Sequence, residues 1–513
     1  MINKRLTLLN IKNCYRLNLE STATLLLLTL LLTYFIKTSL YAIIDSEGWV
    51  LNQQIAFADR IINEGLARYT EGSEDLFITS SPYFPGVGYI AYIIKTMGIE
   101  SNLYLRYIML TISSLISLTL VAFLAATAKE IKTGTTFKTN IILVSLLFIY
   151  SVFSYKTHSL MFKSDPLIII SSLACFIVFN RLKNQSVIFY LFYGTLLFLS
   201  AFLKQQAIFV YFCYFSLVLF DEENDYTQKI KRVVFGLSLG LIFIGIISNT
   251  NGLIEYTVKR MSLHGYYPYN VSIEYIKDAI TYCLPLVFLI AIGIFITFYK
   301  TKSDRLRKVY FLCGLVWLII CLLGLAKSGG NRANLETAFV WFIPFALNGI
   351  HFSATLVSRA IPLKFTKQIV LTTIYITILF NVYQSFIKIN ELKVIHEQRV
   401  KSIQWLVKNF ENRNAIIESS LYVITKDANI IIKSDIDSIK HYFGDNLEQV
   451  DLSEVFNCEL GKLIIVENEN TIKVLPTKTR QVINNNFSIV TKKPNYINFD
   501  IYESKCNSNS SKK

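Results

Sequence analysis

The chain has 513 residues, 53% of them hydrophobic and 17% charged, with a mean hydropathy of +0.43 and a formal net charge of +15. Soluble domains carry about 25% charged residues, and the two or three soluble cores expected at this length could not be covered by so few ionised side chains. The same composition, with 37 Phe and 30 Tyr, excludes a disordered chain, a collagen-like repeat and a disulfide scaffold.

The apolar residues fall in runs. A hydrocarbon core of about 30 Å takes roughly 20 helical residues, and runs near that length stand at 22–43, 103–128, 138–154, 165–181, 186–203, 206–220, 233–249, 279–299, 308–326, 335–351 and 366–387. They predict an α-helical polytopic membrane protein of about 11 transmembrane helices, some runs being short enough to be re-entrant. The first run is Leu-rich and lacks a small-x-small cleavage site, so it reads as an uncleaved anchor after a cytoplasmic N-terminus, 1–21. Between the first two runs, the loop 44–102 is acidic. It predicts an amphipathic helix over 47–63, then the Ser81-Pro82-Tyr83-Phe84-Pro85-Gly86 turn and a second helix too short to span, lying in the membrane surface. A further long loop, 250–278, carries His264-Gly265-Tyr266-Tyr267-Pro268-Tyr269. The predicted membrane domain is 22–387. From 388 to 513 short apolar pieces (LYVIT, NIIIK, KLIIVEN) alternate with helical patterns such as DIDSIKHYF, predicting a small C-terminal α/β domain.

Basic residues orient such a chain. With the N-terminus inside, 20 Lys and Arg lie in cytoplasmic segments and 11 in the longer external loops. This places the C-terminal domain outside and makes the positive charge a topological signal, leaving no nucleic-acid partner to be expected. Cys458 and Cys506 then share the external tail, where one disulfide is allowed. The Lys-, Ile- and Asn-rich composition points to a bacterial cytoplasmic membrane.

Ionisable residues are nearly absent from the middle of the runs, which counts against an ion-coupled transporter. Polar residues gather instead where runs meet the external side: Asp45-Ser46-Glu47, Lys163-Ser164-Asp165-Pro166, Lys204-Gln205-Gln206 and Lys327-Ser328-Gly329-Gly330-Asn331-Arg332-Ala333-Asn334. Each alone is compatible with a polar loop end, Asp165 being a helix-start acid ahead of Pro166. Together they supply carboxylates that can act as a general base and cations that can stabilise a departing phosphate. Sugar transfer from a polyprenyl phosphate, phospholipid head-group transfer and lipid binding all fit that set.

The order of these motifs over about residues 20–350 resembles the GT-C superfamily, the polytopic glycosyltransferases that include protein O-mannosyltransferases and the lipid A aminoarabinose transferase. The matches are Asp45-Ser46-Glu47-Gly48-Trp49, the Pro-rich turn with Tyr83, Arg106 opening the second helix, Lys163-Ser164-Asp165-Pro166, Lys204 and Lys327-Ser328-Gly329-Gly330-Asn331. The resemblance implies an inverting displacement with Asp45 as base and Glu47 as the second candidate, because Ser46 separates two acids that are adjacent in many relatives. It gives Asp165 the second acidic position, which orders the site, binds a metal or positions the acceptor. Arg106 and Lys204, with Lys163, Lys327, Asn331 and Arg332, are candidates for the donor phosphate. Tyr83 and His264 fall in loops that can face substrate, and a solvated loop histidine is the other reading of His264. No cofactor is required, and a divalent cation shared by Asp45 and Asp165 stays open. The implied partners are a lipid-linked sugar donor and a glycan, glycolipid or protein acceptor. The rival readings are a transporter or flippase of lipid-linked sugars and a non-catalytic subunit of a cell-envelope polysaccharide assembly system.

Overall fold

A computed structural model of the chain describes residues 58, 86–99, 102–131, 164–203, 205–248, 269–300, 305–326, 333–360, 389–418, 421–436, 451–453, 455–459 and 462–506. The membrane part is built from helices α1 (Gly86–Thr96), α2 (Asn102–Glu130), α3 (Ser164–Leu182), α4 (Ser186–Ala201), α5 (Ile208–Leu219), α6 (Tyr226–Ser248), α7 (Tyr269–Tyr282), α8 (Leu284–Lys300), α9 (Arg305–Ala326) and α10 (Ala333–Ala360). The predicted spans 22–43, 138–154 and 366–387 and the predicted helix 47–63 lie outside the described residues, Ala58 apart.

Among the described residues three stretches are long and apolar enough to cross a membrane: Thr111–Glu130, Asp165–Leu182 and Arg305–Ala326. A fourth is reached only if α7 and α8, which meet at 79°, count as one broken span. The described residues therefore do not carry the expected count of 11. At about 1.5 Å per residue, the 16 residues of α4 and 12 of α5 fall short of a hydrocarbon core. The run at 279–299 is also not a straight span, because it breaks at Cys283 and is preceded by a helix within the predicted loop. Large apolar side chains point outward along α4 and α6, as with Val187, Leu191, Leu199, Val234, Leu237 and Leu241. Such faces suit a lipid solvent rather than water.

In a bilayer, helices gain little from burying apolar surface against one another, and close backbone approach takes over. The contact between α8 and α10 depends on it. A Cβ on Gly293 would stand 1.8 Å from Phe345 O, and one on Gly349 would stand 2.2 Å from Leu289 O. Beside these glycines, Thr297 Oγ1 donates to Gly293 O at 2.6 Å and Asn348 Nδ2 donates to Thr297 Oγ1 at 2.9 Å. Helices α9 and α10 are joined by Tyr310 Oη donating to Trp341 O at 2.5 Å and Trp341 Nε1 donating to Tyr310 O at 3.3 Å, their rings stacked at 4.7 Å. Pro344, inside α10, has no N–H for the preceding turn, so these cross-helix bonds fall where the helix is internally weakest. The short helix α1 packs through Ala91 and Ile94 on Leu105 and Met109 of α2.

After α11 (Ile389–Phe410) the chain turns at Asn412, whose φ of 62° is one that asparagine tolerates, and enters a sheet. Strands β1 (Asn414–Ile417), β2 (Ile431–Asp435), β3 (Leu463–Val466), β4 (Phe487–Ile489) and β5 (Asp500–Ser504) run in the order β2-β1-β3-β5-β4. The first three are parallel, and β5 is antiparallel to both β3 and β4. Ala415, Ile417, Leu463 and Ile465 bury one face with Leu406, Phe410 and Ile424. Ile416, Ile464 and Val466 bury the other with Phe456, Ile472, Ile483 and Phe487. Burial on both faces explains the unbroken apolar runs.

The expectation for LYVIT needs correcting, since it begins α12 (Tyr422–Asp427) rather than a strand. Leu421, Ile424 and Ala428 recur at helical spacing and pack together, which five residues of apparent alternation conceal. Most of DIDSIKHYF lies outside the described residues. Lys462, donating to Val455 O and Asn457 Oδ1, has its ammonium pushed below the usual lysine range by burial. Cys458 and Cys506 form a disulfide with Cα atoms 5.8 Å apart.

The glycine contact can be tested directly. Gly293→Ala should lower the unfolding temperature of the detergent-solubilised chain, overpacking of this kind costing about 1–3 kcal/mol. Gly245→Ala, whose Cβ meets nothing within 4 Å, should leave it unchanged. Equal responses of the two variants would contradict the close approach.

Candidate functional site at one end of the bundle

Ion pairs collect at one end of the helices. Arg181 faces Glu130 at 3.6 Å, Lys183 pairs with Glu223, Arg305 with Glu222 at 2.8 Å, and the buried Arg232 with Asp221 at 4.0 Å. Arg232 also lies over the Phe189 ring at 4.2 Å and donates to Lys183 O. Arg307 Nε donates to Ile131 O at 2.5 Å. These contacts put the ends of α2, α3 and α5 and the starts of α4, α6 and α9 at one level. The starts of α2, α3, α5 and α10 and the end of α9 share the opposite end, since α9 runs antiparallel to α10 through the pairs Tyr310–Trp341 and Trp317–Thr337.

That opposite end carries the described candidate residues. Asp165 sits in the first turn of α3 and is 8% exposed. A carboxylate there suits the positive end of the helix dipole, and Pro166 beside it needs no N–H partner in a first turn. A short 3-10 turn, Gln205–Ala207, then leads into α5. Its Gln206 reaches α9 and α10: Gln206 Nε2 lies 3.6 Å and Asn334 Nδ2 3.7 Å from the point where a Cβ on Gly324 would stand. A methyl group at Gly324 would meet both amides at ordinary van der Waals distance, while a larger side chain would have to displace them. Gln206 Oε1 is sealed from water and has no hydrogen-bond partner among the described residues.

Below this layer Thr337 ties the helices together. Its Oγ1 donates to Asn334 O at 2.7 Å and stands 3.3 Å from Cys321 Sγ, while Trp317 Nε1 donates to Thr337 O at 3.2 Å. The rings of Phe209, Trp317 and Trp341, at centroid separations of 4.7 and 5.1 Å, form an apolar floor. Charges or dipoles above such a floor act in a low-dielectric setting, where hydrogen bonds are stronger and unpaired groups cost more.

Of the residues singled out in the sequence, Asp165 is placed with its side chain. Arg106 falls within α2 at the same end, with its side chain outside the described residues. Asp45, Glu47, Tyr83, Lys163, Lys204, His264, Lys327, Asn331 and Arg332 all lie outside the described residues. What the structure does bring together is the ends of the two polar stretches at Gln206 and Asn334, two uncharged amides. Their signal in the sequence is modest: each closes one of the polar stretches named above, behind Lys204 and Arg332.

No family model matches the chain, and no curated protein matches it. Among solved structures, the apo oligosaccharyltransferase of Archaeoglobus fulgidus aligns with 90% of this chain and 73% of its own length, at 10% identity and a TM-score of 0.52. A second archaeal structure, oligosaccharyltransferase AglB from the same organism in complex with an inhibitory peptide and a dolichol-phosphate, aligns with 90% of this chain and 72% of its own at 11% identity and a TM-score of 0.48. The fold of this chain is thus the GT-C fold that the motif order resembles, and the chain is a membrane protein.

The space at Gly324 gives a direct check. Gly324→Ala, meeting both amides at ordinary van der Waals distance, should unfold within about 1 °C of the wild type, surface-like changes costing under about 0.5 kcal/mol. Gly324→Leu should displace Gln206 and Asn334 and lower the unfolding temperature. A Leu variant as stable as the Ala variant would show that the amides are not closed over Gly324.

Proposed function

We propose that the chain is a membrane glycosyltransferase that moves a sugar from a polyprenyl-phosphate donor to an acceptor hydroxyl on the non-cytoplasmic face. The observation that carries this reading is the GT-C fold over nine-tenths of the chain, with Asp165 and the two amide-bearing loops at one end of the bundle. An oligosaccharyltransferase as fold neighbour supports glycosyl transfer in general.

The chemistry assigns each charge a task. Asp45 takes the proton of the acceptor hydroxyl, and that oxygen attacks the anomeric carbon from the face opposite the lipid phosphate. The bond from the anomeric carbon to the phosphate oxygen breaks with its electron pair staying on the phosphate, so the product is inverted. Negative charge growing on the phosphate is stabilised by Lys204 and Arg106, with Lys163, Lys327, Asn331 and Arg332 close to the same loops. Glu47 is the alternative base, Asp165 positions the acceptor, and Tyr83 and His264 border the substrate. A divalent cation would fall to Asp45 and Asp165.

The two ends of the bundle lend support to one sidedness. Basic residues concentrate at the ion-pair end, as cytoplasmic loops do, and the Cys458–Cys506 disulfide suits an oxidising external space. Both support a bacterial cytoplasmic membrane with the site and the C-terminal sheet domain outside. In membranes supplied with a lipid-linked sugar and acceptor, Asp45→Asn should reduce transfer by about 10²–10⁴-fold, the usual contribution of a general base, with expression and insertion unchanged. A fully active variant would remove Asp45 from the mechanism.

A further inference from the structure

We infer that Gln206 and Asn334 form an amide pair that reads a hydroxyl of the sugar carried by the lipid donor, an inference that rests on the transferase reading above. Three observations converge. The two side chains come from different polar stretches and both lie against Gly324, each with an amide atom within 3.7 Å of the point where its Cβ would stand. Gln206 Oε1 is buried yet has no donor among the described residues, although buried polar atoms in folded proteins are nearly always hydrogen-bonded. The pair lies at the end of the bundle where Asp165 begins its helix, above the apolar floor of Phe209, Trp317 and Trp341.

The chemistry of the orphaned atom selects its partner. An amide oxygen accepts, so what satisfies it must bring an O–H or N–H. A phosphodiester brings none, and the donor phosphate therefore cannot fill this role. A sugar hydroxyl donates to the amide oxygen and can accept from an amide N–H at the same time, and two neutral amides suit that double contact without the cost of a buried charge. A site whose buried polar group is left unpaired discriminates strongly against analogues that lack the matching hydroxyl. Gln206 and Asn334 would accordingly set which sugar is accepted, while the cations hold the phosphate common to all donors.

Binding to the full-length chain in detergent tests this with two probes, undecaprenyl phosphate and a panel of undecaprenyl-phosphate hexoses (glucose, galactose, mannose) with their monodeoxy derivatives. The wild type should bind one hexose-bearing lipid more tightly than the bare lipid phosphate. Gln206→Met should weaken that hexose lipid about tenfold and change the bare lipid by less than about twofold, and one deoxy derivative should lose about tenfold on the wild type and nothing further on the variant. Asn334→Ala serves the same cycle if Gln206→Met does not fold, and the deoxy series on the wild type needs no variant. Equal losses for bare and sugar-bearing lipid, or no deoxy position that couples to either amide, would overturn the sugar-reading role. Failure of the wild type to bind either lipid would overturn the transferase reading itself.

Discussion

The constraint on which the bundle depends is the absence of water to satisfy a backbone group once a helix is bent or thinned. Helix α10 carries a proline in its middle, and the neighbouring helix bonds to it in the adjoining turn. Tyr310 and Trp341 exchange side chain-to-carbonyl hydrogen bonds and stack their rings, while Trp317 reaches Thr337 one level further along. That reciprocal seam fixes the register of α9 against α10. The register in turn decides that Gly324 ends its helix facing Asn334. On the other side of α10, Gly293 and Gly349 let α8 approach backbone to backbone, so the helix is held from two sides by contacts that tolerate almost no change of size.

From this framework the two ends acquire different chemistry. One is closed by salt bridges and by arginines whose donors reach backbone carbonyls across helix boundaries. Four ion pairs close this end, as befits a structural lock. The other end holds a carboxylate at a helix start and two amides over an aromatic floor, with one amide oxygen unsatisfied. An end that leaves a buried acceptor waiting is a candidate for recognition, and it coincides with the start of α3, where Asp165 stands.

Much of this was legible from residue order, for identifiable reasons. Asp165-Pro166 announces a helix start because proline is welcome only there, and the runs at 165–181 and 308–326 are uniform enough to be helices wherever they pack. NIIIK and KLIIVEN announce buried strands by their β-branched residues. Other features were hidden because they depend on partners far along the chain. Nothing near Gly293 says that Phe345 will press on it, and nothing near Cys283 says that the helix will turn by 79°. LYVIT alternates convincingly over five residues, and only its packing beside Ala428 and Phe410 reveals the helical spacing. Gln206 stands in a polar stretch, but nothing in the residue order distinguishes it from Gln205; only the buried, donorless position of its oxygen does.

The central claim is that the polar end of this bundle transfers sugar from a lipid phosphate. Mass spectrometry of the lipid-linked saccharides and surface glycoconjugates of cells carrying or lacking the gene tests it most directly. The account predicts that deletion removes one sugar or glycan from a surface acceptor while its lipid-linked precursor accumulates, and that restoring the intact gene reverses both. Unchanged glycoconjugates and unchanged lipid-linked pools in the deletion would contradict it.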